Sequence, residues 1–183
     1  MSELKNIKVI VTGAMLAAMT CVATMVIKIP TPTTGYVHLG DCFVLLAGFL
    51  LGPAAGGLAA GTGSMLSDLL SGYAVWAPGT FVIKLATASV AAGLYSWFSK
   101  RGMKPLVNRI TSSIAGEMVM ITGYFLYNII ILTVINTGGE AVALASAITQ
   151  SAAEIPFNVA QGITGIVLSV ILLPVFEKVV SLE

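Results

Sequence analysis

His38, Asp41, Asp68, Lys84 and Glu154 stand at the ends of long apolar runs in a chain that carries few charges. Of its 183 residues, 57% are hydrophobic and only 9% are charged. An ionisable group beside hydrocarbon is costly to keep, so its presence there marks a functional site by default. Other polar groups gather at the same level. Glu154, Asn158 and Gln161 fall at i, i+4 and i+7, which puts them on one helical face. Tyr124, Tyr127 and Asn128 share one apolar run, and Tyr73 and Trp76 lie in the short segment between two others. Aromatic faces, amides and a few charges suit the capture of a polar, ring-shaped small molecule.

Each of these residues also has a structural reading. Asp41 suits the cap of a helix N-terminus. Asp68 and Lys84 suit an ion pair tying two consecutive spans, and His38 suits a solvated loop. Tyr73 and Trp76 suit the aromatic belt at a membrane surface, and Asn158 and Gln161 suit hydrogen bonding between helices. Their common level favours one pocket over these separate roles. Glu117 stands apart, about two turns inside its apolar run. It can reach the interface, pair with a neighbouring helix or couple transport to protons.

Enzyme chemistry finds no support. The chain has no G-x-x-x-x-G-K-[ST] loop, so it cannot hydrolyse ATP by that route. A single histidine rules out a multi-histidine metal site. Gly61-Thr62-Gly63-Ser64 resembles a serine-nucleophile turn only loosely, with no histidine at its level. Cys21 and Cys42 are too few for a disulfide framework and too far apart for a metal site, and read as small buried hydrophobes. The basic residues form no large patch, so no nucleic-acid partner is expected. No catalytic residue, metal or cofactor is expected either.

The elements that must position these groups follow from the hydropathy. A mean of +0.97, with far fewer charges than the roughly 25% of a soluble domain, describes an all-α integral membrane protein in one domain, 1–183. At about 20 apolar residues per span, the chain fits a six-transmembrane-helix bundle. The spans are predicted at 7–28, 39–52, 54–71, 79–98, 108–135 and 154–176. The first apolar run exceeds that of a signal peptide and reads as a retained span. Pro30, Pro32 and the neighbouring threonines force an extended loop after it. The second span is short, Gly52-Pro53 makes the next turn, and the third is dense in small residues. A loop at 136–152 holds Gly138-Gly139-Glu140 and a short amphipathic turn. Pro156 is tolerated in the first turn of the sixth span.

Orientation follows from the basic residues. Lys5, Lys8, Lys100, Arg101, Lys104, Arg109 and Lys178 are seven of the nine Lys and Arg residues, and all fall on one side. The positive-inside rule makes that side, with both termini, cytoplasmic. The five polar ends then face outward together. Ala14-x-x-x-Ala18 and Gly57-x-x-x-Gly61 permit close helix approach. The first is open to an external partner, and the second suits internal packing.

The stretch from Gly35 to Lys84 carries a resemblance. Tyr36-Val37-His38-Leu39-Gly40-Asp41, Leu51-Gly52-Pro53-Ala54-Ala55-Gly56, Ser67-Asp68-Leu69-Leu70-Ser71-Gly72-Tyr73 and Ala77-Pro78-Gly79-Thr80-Phe81-Val82-Ile83-Lys84, with Ala14-x-x-x-Ala18, resemble the substrate-binding (S) components of energy-coupling factor (ECF) transporters. Within that family they read like the hydroxymethylpyrimidine and pyridoxine branch. The resemblance implies a vitamin-binding subunit of a prokaryotic plasma membrane, with its pocket at the outer ends of spans four to six under the outer loops. It implies docking through the alanine face of the first span onto a transmembrane coupling subunit. Two cytoplasmic ATPase subunits would use the ATP, and the binding subunit would topple in the membrane to release its vitamin inside.

The expected function is therefore capture of a small heteroaromatic vitamin, with pyridoxine or hydroxymethylpyrimidine favoured. Trp76 or a tyrosine would stack on the ring, and Lys84, Glu154, Asn158 and Gln161 would bond its edge. His38, Asp41, Asp68, Tyr73, Tyr124 and Asn128 complete the expected site. The alternative is a self-sufficient proton-coupled secondary transporter, with Glu117 or Asp68 as coupling group. No internal repeat of the kind many such carriers show is visible.

Overall fold

A computed structural model describes residues 2–31, 36–135 and 142–180. In chain order it contains α1 (Ser2–Val26), β1 (Lys28–Pro30), β2 (Tyr36–His38), α2 (Gly40–Leu70), α3 (Ala77–Lys100) and α4 (Pro105–Ile130). A π-helical turn (Ile131–Ile135), α5 (Leu144–Ala153) and α6 (Ile155–Val179) follow. Five apolar helical segments are long enough to cross a membrane: Asn6–Val26, Gly40–Leu70, Ala77–Lys100, Pro105–Val134 and Leu144–Val179.

The predicted second and third spans are the two arms of α2. Gly52 breaks the helix with φ 79° and ψ 179°, and Pro53 follows it. That φ is open to glycine at little cost, and a proline is tolerated where a new helix begins. The arms 40–51 and 53–70 fold back on each other so tightly that a Cβ on Gly56 would overlap the Ala47 carbonyl. The second arm also approaches its neighbours closely. A Cβ on Gly63 would run into the Ala17 carbonyl of α1, and one on Gly61 would come within 2.8 Å of the Phe81 carbonyl of α3. The small residues of this arm thus serve internal packing, while Ala14 and Ala18 on α1 are exposed.

The bundle is apolar inside and out. Leu16, Val44, Leu46, Ala47, Ala60, Ala88 and Leu173 form its core. Ile10, Val11, Val22, Ile163 and Ile171 are exposed, as expected of surfaces solvated by lipid tails. The buried face of α1 is instead threaded with Thr12, Thr20 and Thr24. Thr20 and Thr24 satisfy their hydroxyls on the carbonyls four residues back, each at 2.8 Å. Cys21 and Cys42 are buried free thiols. Away from the predicted site, Arg109 pairs with Glu177 at 3.1 Å. Nearby, Asn108 donates to the Tyr95 carbonyl at 2.9 Å and to Ser99 at 2.8 Å.

Some local structure differs from expectation. The segment after α1, read as an extended loop, is an antiparallel hairpin with Lys28 opposite His38 and Pro30 opposite Tyr36. Three-residue strands are too short to leave an alternating pattern that sequence can show. A ten-residue helix, α5, lies where a loop with a short turn was expected. Pro32 and Gly138-Gly139-Glu140 lie outside the described residues.

Candidate functional site

Asp41 and Lys84 form the floor of the site. They make an ion pair with neither side chain exposed. The other Asp41 oxygen accepts from Gln161 Nε2 at 2.7 Å, and Gln161 Oε1 accepts the His38 backbone N–H at 3.1 Å. The Gly40 N–H donates to His38 Nδ1 at 3.0 Å, so the neutral ring carries its proton on Nε2. Burial, helped by the positive charges of Lys84 and Lys28 and opposed by Asp41, pushes the His38 pKa down to about 3. The first turn of α2, the early turns of α3 and the start of α6 are thereby tied together by one desolvated network.

Above this floor lies a cavity of about 60 Å³. Trp76 and Tyr124 form one aromatic wall, with ring centroids 6.5 Å apart. Tyr127 supports Trp76 edge-on at 5.8 Å and is held by a 2.8 Å bond from its hydroxyl to the Val75 carbonyl. Tyr36 and Tyr73 form the other wall, with centroids 5.0 Å apart. Lys28 Nζ lies over the Tyr36 ring at 4.8 Å and also bonds Ser71. The Tyr36 hydroxyl donates to Asp68 Oδ1 at 2.8 Å. Burial, and then the negative charge of Asp68, raise the Tyr36 pKa, so the phenol remains a donor. Thr31, at the end of the hairpin strand, donates to Glu154 Oε1 at 2.7 Å. Two aromatic walls over hydrogen-bonding groups can hold a flat polar ring and read its edge.

Residues 4–178 match the ECF-type riboflavin transporter, S component family. The chain belongs to that family. The solved structure of the S component of a bacterial ECF transporter matches with a TM-score of 0.62 at 22% identity, over 96% of this chain and 97% of that one. That likeness is one of fold. A Pyrococcus woesei protein described only as lying in a gap 3' region is 41% identical over 104 residues. The match spans 56% of this chain and 66% of that relative, just under two thirds of its length.

In this S component, His38, Asp68, Tyr73, Trp76, Tyr124, Asn128, Glu154, Asn158 and Gln161 all line the cavity. The other two residues singled out from the sequence, Asp41 and Lys84, lie beneath it. The ion pair anticipated between Asp68 and Lys84 forms instead between Asp41 and Lys84, because Asp41 opens α2 at the level where Lys84 enters the bundle. His38 is buried at 7% exposure rather than solvated, since β2 carries it under the hairpin. Glu117 reaches no surface and forms no ion pair among the described residues. It is 3% exposed, and both its carboxylate oxygens lack a hydrogen-bond partner among the described residues.

The cavity also takes in Thr24, Tyr36, Ser64 and Thr80, which the sequence reading did not select. Ser64 and Thr80 stand four residues before Asp68 and Lys84, and Thr24 four after Thr20. A search of the helical faces around the charges would have found the first two.

Proposed function

We propose that this protein is the membrane-embedded, high-affinity vitamin-binding subunit of an ECF-type importer. It captures a small heteroaromatic vitamin from outside and delivers it through a transmembrane coupling subunit powered by two cytoplasmic ATPases. In this reading six helical arms cross the membrane, both termini are cytoplasmic and the cavity faces outward. The cavity between the Trp76–Tyr124 and Tyr36–Tyr73 walls carries the proposal. A ring stacks there, while Asn158, Glu154 and His38 bond its substituents. Asp41 and Lys84 act from below by holding Gln161 in place. Pyridoxine or hydroxymethylpyrimidine is the favoured vitamin, on the resemblance of the stretch from Gly35 to Lys84 to the carriers of those compounds. The exposed Ala14–Ala18 face of α1 serves the coupling subunit.

The test is native mass spectrometry of the detergent-purified chain, followed by extraction and identification of any bound small molecule. A stoichiometric one-ring vitamin is expected. An empty protein that gains no thermal stability from a vitamin panel would overturn the reading.

Glu117, buried with no hydrogen-bond partner among the described residues, favours a second reading, a proton-coupled carrier that works alone. It predicts uptake into vesicles containing only this protein, driven by a pH gradient. Uptake that requires the ATPase partners would exclude it.

A further inference from the structure

Ser64 and Asp68 stand one turn apart on the second arm of α2, so their side chains leave the helix on the same face. Both line the cavity, and they are 2% and 5% exposed. Oδ1 of Asp68 is occupied by the Tyr36 hydroxyl at 2.8 Å. Its other oxygen, Oδ2, and Ser64 Oγ are buried without a hydrogen-bond partner among the described residues. The Thr80 hydroxyl, which accepts from the Tyr124 hydroxyl at 3.3 Å, is a neighbouring donor on the same wall.

Leaving a buried polar group unmet costs about 1–3 kcal/mol, and here two such groups stand side by side in a cavity wall. The floor below is arranged differently, with both Asp41 oxygens taken, one by Lys84 and the other by Gln161. Neither group is met by the floor, and both stand in the cavity wall, where a bound ring can reach them. A carboxylate oxygen only accepts, while a serine hydroxyl can donate. The complementary edge therefore offers a donor to Asp68 and, beside it, an acceptor to Ser64.

We propose that Asp68 and Ser64 form the specificity-determining pair of this pocket, reading a ring edge on which an amino group stands next to a ring nitrogen. The amino N–H donates to Asp68 Oδ2, and the ring nitrogen accepts from the Ser64 hydroxyl. The ligand class is a one-ring amino-substituted nitrogen heteroaromatic, with an aminopyrimidine alcohol as its simplest member. Pyridoxine, whose hydroxyl and ring nitrogen are separated by a methyl-bearing carbon, fits the pair less well. The inference rests on the vitamin-binding reading above and narrows it.

The test is calorimetric titration of the full chain in detergent with three probes: an aminopyrimidine alcohol, the same compound with methoxy in place of amino, and pyridoxine. The methoxy group keeps the shape and the ring nitrogen but removes the donor. The amino compound should bind on the order of a hundredfold more tightly than the methoxy one, because a site built around a donor rejects the analogue lacking it. Asp68→Asn presents an amide N–H where Oδ2 stood, and should reverse that preference. A merely structural Asp68 would weaken both probes together. If Asp68→Asn does not fold, Ser64→Ala should lower affinity for both pyrimidines about tenfold while leaving the preference for amino over methoxy intact. Equal binding of the two pyrimidines by the unaltered chain would overturn the inference. So would tight binding of pyridoxine without the aminopyrimidine, although the vitamin-binding reading would then stand. Failure of all three probes would overturn the inference, and failure of the whole vitamin panel as well would overturn both.

Discussion

Asp41 and Lys84, 43 residues apart in the chain, meet as an ion pair with neither side chain exposed. The pair lies behind the cavity lining, where Asp41 accepts from Gln161, and joins the start of α2 to the early turns of α3. Removing one partner leaves the other charged and buried. Lys84→Met should therefore destabilise the protein by about 3–5 kcal/mol, read as a large drop in melting temperature in detergent. The double variant with Asp41→Leu should recover most of that loss. A double variant as unstable as Lys84→Met alone would show that packing around Lys84, and not the charge pair, sets the cost.

His38 makes the fold sensitive to acid. Its pKa is depressed from 6.5 to about 3. Below about pH 6.5 the unfolded chain binds a proton that the folded chain refuses until about pH 3. Stability is therefore unaffected by this group above 6.5 and falls as the pH drops through that window, by up to about 1.4 kcal/mol per pH unit. Melting curves of the unaltered chain and His38→Gln from pH 7 to 4 should diverge, with the variant losing less. Parallel curves would place the acid sensitivity on other groups.

Asn158 lines the cavity from the first turns of α6. Asn158→Ala should weaken binding of the native vitamin by roughly tenfold or more, the value of a hydrogen bond and its lost partner, with little change in melting temperature of the empty protein. Unchanged affinity would remove this residue from the site.

Ala14 is exposed on α1, on the face away from Leu16 and Thr20. Ala14→Trp should leave vitamin affinity intact and abolish uptake by the assembled transporter, because close helix approach needs small residues. Uptake at the normal rate would move the docking face elsewhere.

Glu117 is buried against α6, where a Cβ on Gly162 would lie 3.2 Å from its Oε2. Its oxygens lack partners among the described residues, so an apolar side chain of similar size should pack there at lower cost. Glu117→Met should raise the melting temperature by a few degrees, since removing an unmet buried group recovers about 1–3 kcal/mol. Should uptake by the complete transporter fall while stability rises, the carboxylate has a role in transport. A lower melting temperature would mean that Glu117 has partners that the structure does not describe.

The membrane class, the rough helix boundaries and the polar level of the site were legible because each rests on composition and local spacing. Hydrophobic runs of span length have few soluble readings, and prolines and glycines mark where they end. Individual pairings were not legible. Nothing in the spacing of Asp41, Asp68 and Lys84 says which aspartate meets the lysine. That choice depends on how far α3 slides along α2, and contacts such as Gly61 with Phe81 set that offset. Tyr36 and Thr24 were missed for the same reason, since a short hairpin and the rotation of α1 bring them to the cavity. Sequence alone thus determined that this chain lives in a membrane and carries polar groups at one level. Only the tertiary structure decided which of those groups cancel one another beneath the cavity and which are left in its wall for a ligand, because desolvation and pairing are set by neighbours brought together across the fold.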